Sequence, residues 1–224
     1  MNLSDLEKLH AAVQLLVRQE SFSRAVERLR LDLSGSPEPF VWSIVALDTI
    51  SVSLPAPIKS CWIFLLKRDV PSGCHYHPNS VQHMIALKGH GRSKVGSVER
   101  TIIPLGSAQH SIKEKWHVIG EGVPHEFFPE GEDMTVVSFH TCEVAELEEI
   151  ACGSGASRIY EPSDSQRSQP AAELVTTFML LLRSIFFTFL LPGTVTVLIP
   201  YWILSSSNGG TSSSHPVLRI SVIR

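Results

Sequence analysis

The chain has 224 residues, with 19 Lys plus Arg against 22 Asp plus Glu and a net charge of −3. That length allows one full domain with additional segments. The charge balance, with no Lys/Arg run, excludes a polyanion-binding surface and so a nucleic-acid partner. Mean hydropathy is +0.12, high for a soluble protein, and the excess lies near the C-terminus. Four cysteines, Cys61, Cys74, Cys142 and Cys152, form no C-x-x-C pair. With no N-terminal signal peptide in view, reduced free thiols are expected.

Ser4-Asp5-Leu6-Glu7 reads as a capping box, with Ser4 as N-cap and Glu7 at N3. Leu6, Leu9, Val13, Leu16 and Val17 follow at helical spacing. A second helix is predicted over about Phe22–Leu31, starting at Ser21 and broken by Ser34-Gly35-Ser36-Pro37. From Phe40 the period changes. Strands are predicted at 40–45, 50–54, 61–66 and 81–87, with Gly89-His90-Gly91 as a turn. More strands follow at 97–103, 115–119, 123–128 and 134–139, and Glu143–Ile150 reads as a short closing helix. Short strands with Gly/Pro turns argue for an all-β barrel or double-sheet roll.

Residues 161–171 read as a polar linker. The hydrophobic segment 172–204 follows, and Ser184–Leu204 carries no charge across twenty-one positions. That length suits a membrane-spanning helix. Tyr201 and Trp202 would lie at an interface, and Pro192, Gly193 and Pro200 are tolerated in such helices. Arg183 before the span weakly places the preceding domain in the cytoplasm. Without insertion the whole chain is expected to be cytoplasmic. Residues 205–224, rich in Ser and Gly, read as a disordered tail. The run from Arg183 to Pro200 resembles the first membrane span of isoprenylcysteine carboxyl methyltransferase-like proteins. The resemblance covers about thirty residues, about 172–204, and the cofactor-binding part of such enzymes has no counterpart here, so no methyltransferase activity is implied.

The residues with the most chemistry are His75-Tyr76-His77, then Gln82 and Gly89, then Gly120-Glu121-Gly122-Val123-Pro124-His125. Two histidines one residue apart on a strand point to the same side. This pattern, over about residues 38–160, resembles the two motifs of the cupin superfamily. The first runs His-x-His, three or four residues, Glu, six residues, Gly; the second runs Pro-x-Gly-x-x-His with a later Asn. Here Gln82 stands for the Glu, Gly120 for the first Pro and Pro129 for the Asn. The resemblance implies a mainly β fold, a cupin-type β-barrel (double-stranded β-helix or jelly roll); the residues' own patterns set N-terminal helices over 1–37 before it and a C-terminal hydrophobic, transmembrane helix after it.

It also implies a divalent transition metal (Fe, Zn, Ni, Cu or Co) held by His75, His77, Gln82 and His125. His83 competes with Gln82 as fourth ligand. Alternation puts only one of them inward, and the spacing favours Gln82. With no carboxylate in this set, the ion keeps its full charge, its bound water is more acidic, and hard ions such as Mn bind weakly. The other reading of these histidines is a hydrogen-bonded core of a metal-free barrel. His90, His110, His117 and His140 lack ligand spacing and read as surface or satisfied residues. Glu121 and Glu126 read as solvent-facing carboxylates, and Cys74 as a packed thiol facing away from the site.

Three functions fit. The first is a metal-dependent oxygenase or isomerase/lyase on a small oxygenated substrate. The second is a non-catalytic small-ligand or metal-binding module attached to a membrane. The third is an inactive fusion or truncation product. A homodimer is expected only by resemblance.

Overall fold

The computed structural model describes residues 2–160. Helix α1 spans Leu3–Leu16 and buries Leu6, Leu9, Val13 and Leu16, the stripe the sequence shows. Its cap lies two residues earlier than expected. The Asn2 side chain accepts from the Asp5 backbone N–H at 3.0 Å, and Asp5 answers at the Asn2 N–H at 3.2 Å, so Asn2, and not Ser4, closes the box. Helix α2 spans Glu20–Gly35 and runs longer than predicted at both ends.

Nine strands follow among the described residues: β1 (Phe40–Val45), β2 (Ser60–Leu66), β3 (His75–Tyr76), β4 (Gln82–Val95), β5 (Val98–Ile102), β6 (Trp116–Ile119), β7 (His125–His140), β8 (Glu148–Ala151) and β9 (Ser157–Ile159). A one-turn helix, α3 (Ile112–Lys115), precedes β6. All pairings are antiparallel. The two long strands β4 and β7 form the spine, paired from Gln82↔His140 to Val95↔His125. On its other edge β7 pairs β2 through Ser60↔His140 to Leu66↔Met134, and then β3 through His75↔His125. The result is a mainly β, curled half-barrel, in line with the cupin resemblance.

Each face of the sheet buries its own core. Towards the helices lie Cys61, Ile63, Leu65, Ile85, Val137 and Phe139 with the apolar stripes of α1 and α2. Inside the curve lie Trp62, Phe64, Leu66, Met84, Phe127, Met134, Val136 and Tyr160. Strand β2 is buried at every position because both of its faces are covered, and this explains its unbroken apolar run. Each such side chain stabilises the fold by about 1.5–3 kcal/mol through burial.

Four expectations are corrected. Gly89-His90-Gly91 is no turn: β4 runs through it, with register shifts at Ala86/Lys88 and Lys88/His90. These shifts are bulges, and they bend the strand. Gly91 has φ +157, and a Cβ there would meet the Phe128 carbonyl oxygen at 2.1 Å. The segments 123–128 and 134–139 are one strand, β7, because the polar stretch between them pairs with β4 through His90↔Glu130. Residues 50–54 form no strand. Glu143–Ile150 is a 3₁₀ turn, Val144–Glu146, followed by β8, which pairs with β3 and β9.

The expectation of four free thiols is also corrected. Cys74 and Cys152 form a disulfide, with Cα atoms 5.4 Å apart; Cys61 and Cys142 are free and buried. The register His75↔Ala151 places these two residues opposite one another at the end of the β3–β8 ladder, at ordinary disulfide spacing. The linker, the hydrophobic segment with its methyltransferase-like resemblance and the tail all lie outside the described residues. Among the described residues, no helix is long and apolar enough to cross a membrane.

Candidate metal centre

Register alone brings the first two histidines together. His75 and His125 are direct partners across β3 and β7, and their ring centroids lie 4.3 Å apart. His77 follows β3 and sits 5.4 Å from the His75 ring and 5.3 Å from the His125 ring. Its carbonyl accepts the Gly122 N–H at 2.8 Å, which ties the first motif to the turn that launches β7. One ring nitrogen from each of the three lies within 4.8 Å of the others. All three side chains are buried.

The protonation of the rings follows from their partners. His75 Nδ1 lies 2.9 Å from the Gly73 carbonyl, His77 Nδ1 2.8 Å from the Glu148 carbonyl, and His125 Nδ1 2.9 Å from the Val123 carbonyl. A carbonyl oxygen only accepts, so each Nδ1 carries its proton and donates it. In a neutral ring Nε2 is then a bare lone pair. His125 Nε2 is fully buried with no hydrogen-bond partner. Burial lowers the pKa of His77 to about 4 and that of His125 well below its ordinary 6.5, so both are neutral near pH 7. Three imidazoles, each fixed by a backbone acceptor at Nδ1 and with one ring nitrogen apiece close to the others, form a donor set suited to a divalent transition metal.

Gln82 opens β4 and lines the same cavity as His75 and His77. Its Nε2 donates to Ser138 Oγ at 3.0 Å, while its Oε1 is buried without a partner. That orphaned oxygen fits a neutral fourth donor. His83 pairs with Phe139 on the helix-facing side of the sheet, so strand alternation removes it from the site. Glu121 is exposed and Glu126 half-buried. Their neighbour His125 alone of that loop reaches the site.

Two residues, Glu149 and Tyr160, escaped sequence reasoning, while His140 takes the second of the two readings expected for it, a satisfied histidine: it is fully buried, with its ring 5.2 Å from that of His77. Ser80 Oγ lies 3.1 Å from its Nδ1 and Ser138 Oγ 2.9 Å from its Nε2. It therefore forms a satisfied floor beneath the site, through the same Ser138 that holds Gln82. Glu149 is 8 % exposed, with Oε2 3.6 Å from His75 Nε2. Tyr160, 1 % exposed, donates its hydroxyl to that same oxygen. Burial and the facing Glu149 carboxylate push the Tyr160 pKa well above 10, so it stays a donor. Leu147-Glu148-Glu149-Ile150-Ala151 shows no strand alternation, its apolar residues falling at 147, 150 and 151, so the sequence carried no signal for Glu149.

The pocket lined by His75, His77, Gln82, Tyr160, Phe64 and Phe127 opens to solvent and has a volume of about 30 Å³, room for a water or two.

No protein-family model and no curated protein matches this sequence. Among solved structures it is similar to a salicylate 1,2-dioxygenase from Pseudaminobacter salicylatoxidans, with 16% identity and a TM-score of 0.41 over 55% of this chain and 34% of that one. It is also similar to KdgF from Halomonas sp., with 15% identity and a TM-score of 0.36 over 49% of this chain and 85% of that one. A third likeness is to an oxalate oxidase in complex with glycolate, with 17% identity and a TM-score of 0.35 over 47% and 53% of the two chains. The chain thus matches about a third of the dioxygenase's length. Likenesses this distant assign it neither reaction nor substrate.

Proposed function

We propose that this domain binds one divalent transition metal through Nε2 of His75, His77 and His125, with Gln82 Oε1 as a neutral oxygen donor, and acts on a small oxygenated substrate as an oxygenase or an isomerase/lyase. The observation that carries the metal reading is the common pattern of the three rings: each Nδ1–H is spent on a backbone carbonyl, leaving three convergent Nε2 lone pairs. A bound ion would polarise substrate oxygens or, if redox-active, handle dioxygen. The chain's own contribution is orientation and exclusion of water. Backbone acceptors hold the rings, Ser138 holds the Gln82 amide, and Phe64, Met84, Phe127 and Val136 wall the cavity.

The size of the cavity favours a second reading. At about 30 Å³ its interior holds a water or two, and a substrate of several heavy atoms would reach the ion only from the open side, which suits a metal-binding module without turnover. Membrane attachment through Ser184–Leu204 belongs to this proposal and rests on sequence alone. Protease protection of the C-terminal tail, with the barrel accessible from the cytosol, is the expected pattern for it.

The first test is the metal content of the purified full chain, beside a His77→Ala, His125→Ala double variant. Near-stoichiometric metal in the wild type, abolished by the double change, is expected. A folded wild type that carries no metal and refuses added Fe, Zn, Ni, Cu and Co would refute the reading. Once the ion is known, turnover of small hydroxy- and oxo-acids separates enzyme from module.

A further inference from the structure

We infer that Glu149, held by Tyr160, supplies the negative charge of the metal site, as an oxygen ligand arriving on β8 in place of the carboxylate that Gln82 lacks. This rests on the metal reading above and goes beyond its ligand set.

Imidazole nitrogens and an amide oxygen are neutral ligands, so that set alone would leave a divalent ion's charge uncompensated. Glu149 stands beside it. Its Oε2 is 3.6 Å from His75 Nε2, the nitrogen aimed at the ion. Two donors on one ion with bonds of 2.0–2.1 Å lie about 3.4 Å apart in a tetrahedral site, so the observed spacing is within a few tenths of an ångström of shared coordination. The position is fixed by register. β8 pairs with β3 through His75↔Ala151 and Tyr76↔Ile150, and one step further along that ladder lies Glu149, beside His77. The preceding carbonyl, Glu148 O, is the acceptor that orients the His77 ring.

Arg158 is the cross-strand partner of Glu149 on β9, but the ion pair it forms is with Glu38, at 3.5 Å. Among the described residues Glu149 forms no ion pair with Lys or Arg, and its hydrogen-bonded partner is the Tyr160 hydroxyl. A buried carboxylate in that position is costly unless a cation meets it. A divalent ion on His75, His77 and His125 would be that cation. Tyr160 is packed against Trp42, Trp62 and Phe64, so its hydroxyl points at the carboxylate from a rigid base. It lines the same cavity as His75, His77 and Gln82. The site then carries one carboxylate after all, reached from the far end of the domain. Harder ions such as Mn(II) and Fe(II) become good occupants, contrary to the expectation from Gln82 alone.

The test compares Mn(II) and Zn(II) affinities and the visible spectrum of the Co(II) form in the full chain, as wild type, Glu149→Gln, Tyr160→Phe and Gln82→Ala, with thermal midpoints reporting the fold. Glu149→Gln is expected to weaken Mn(II) at least tenfold, and more than Zn(II), and to shift the Co(II) bands. Tyr160→Phe should weaken Mn(II) a few-fold, and Gln82→Ala less than Glu149→Gln. Wild-type binding with Glu149→Gln within twofold and an unchanged Co(II) spectrum would overturn the inference and leave the metal reading standing. A wild type that binds none of the three ions would overturn both. Should Glu149→Gln fail to fold, Glu149→Asp replaces it: the charge is kept but withdrawn by one methylene. A shifted Co(II) spectrum then supports the inference, and an unchanged one overturns it.

Discussion

Breaking the Cys74–Cys152 disulfide should cost this domain much of its stability, through the unfolded state. The two cysteines are 78 residues apart. Closing a loop of that length removes chain entropy worth about 4.5 kcal/mol at 25 °C in the loop-closure account, at the top of the usual range. For a domain of this size, 1 kcal/mol moves the thermal midpoint by about 2–4 °C, so a loss of roughly 10 °C is expected in Cys74→Ser, Cys152→Ser protein. The effect should reach the site. β3 is two residues long, and its hold on β8 is the pairs His75↔Ala151 and Tyr76↔Ile150 beside the disulfide. The assay is thermal unfolding by circular dichroism of the oxidised protein and the double variant, with alkylation of the unreduced, denatured wild type. Two thiols, Cys61 and Cys142, should be alkylated. Four alkylated thiols, or a midpoint unmoved by the double change, would refute the reasoning.

Acid should unfold the metal-free domain early. Burial lowers His117 and His83 to about 4 from 6.5. Protonation therefore favours the unfolded chain: the stabilisation is complete above pH 6.5 and is lost as pH falls towards 4, on the order of 3 kcal/mol for fully buried His117. Urea midpoints across that window should fall with pH, and His117→Gln should flatten the slope; a flat wild-type profile would contradict this. Gly91→Ala should cost about 3 kcal/mol or abolish folding, since its Cβ would strike the Phe128 carbonyl and φ +157 is closed to Ala; denaturant titration measures it, and a cost under 1 kcal/mol would show that β4 relaxes. Metal supplied at a hundred times its Kd should raise stability by about 2.7 kcal/mol, and the gain should vanish in the His77→Ala, His125→Ala protein.

The strand-rich middle of the chain was legible because burial imposes periodicity. Phe40–Val45 and the apolar run ending at Leu66 read as strands and are strands, and the stripe of α1 is the one predicted. His75, His77 and His125 could be picked out because side chains at a period of two share one face of an extended chain and Pro124-His125 follows a recognisable glycine turn. Alternation allowed only one of Gln82 and His83 to point inward and the motif spacing favoured Gln82; in the structure His83 lies on the helix-facing side. What failed has one cause: it depends on which segments meet. The Gly89–Gly91 stretch reads as a turn until β7 is seen continuing alongside it. Glu143–Ile150 reads as a helix until β3 offers it an edge. Nothing local to Cys74 or Cys152 announces their pairing across 78 residues.

By itself, then, the sequence determined the strands, the two amphipathic helices and a histidine triad spaced for one ion, because local periodicity and side-chain chemistry are written residue by residue. Only the tertiary structure decided that β8 folds back on β3, because register is set by the competition of whole strands for partners. That single pairing brings the disulfide, the carbonyl that orients His77, and the Glu149 carboxylate to the same three histidines.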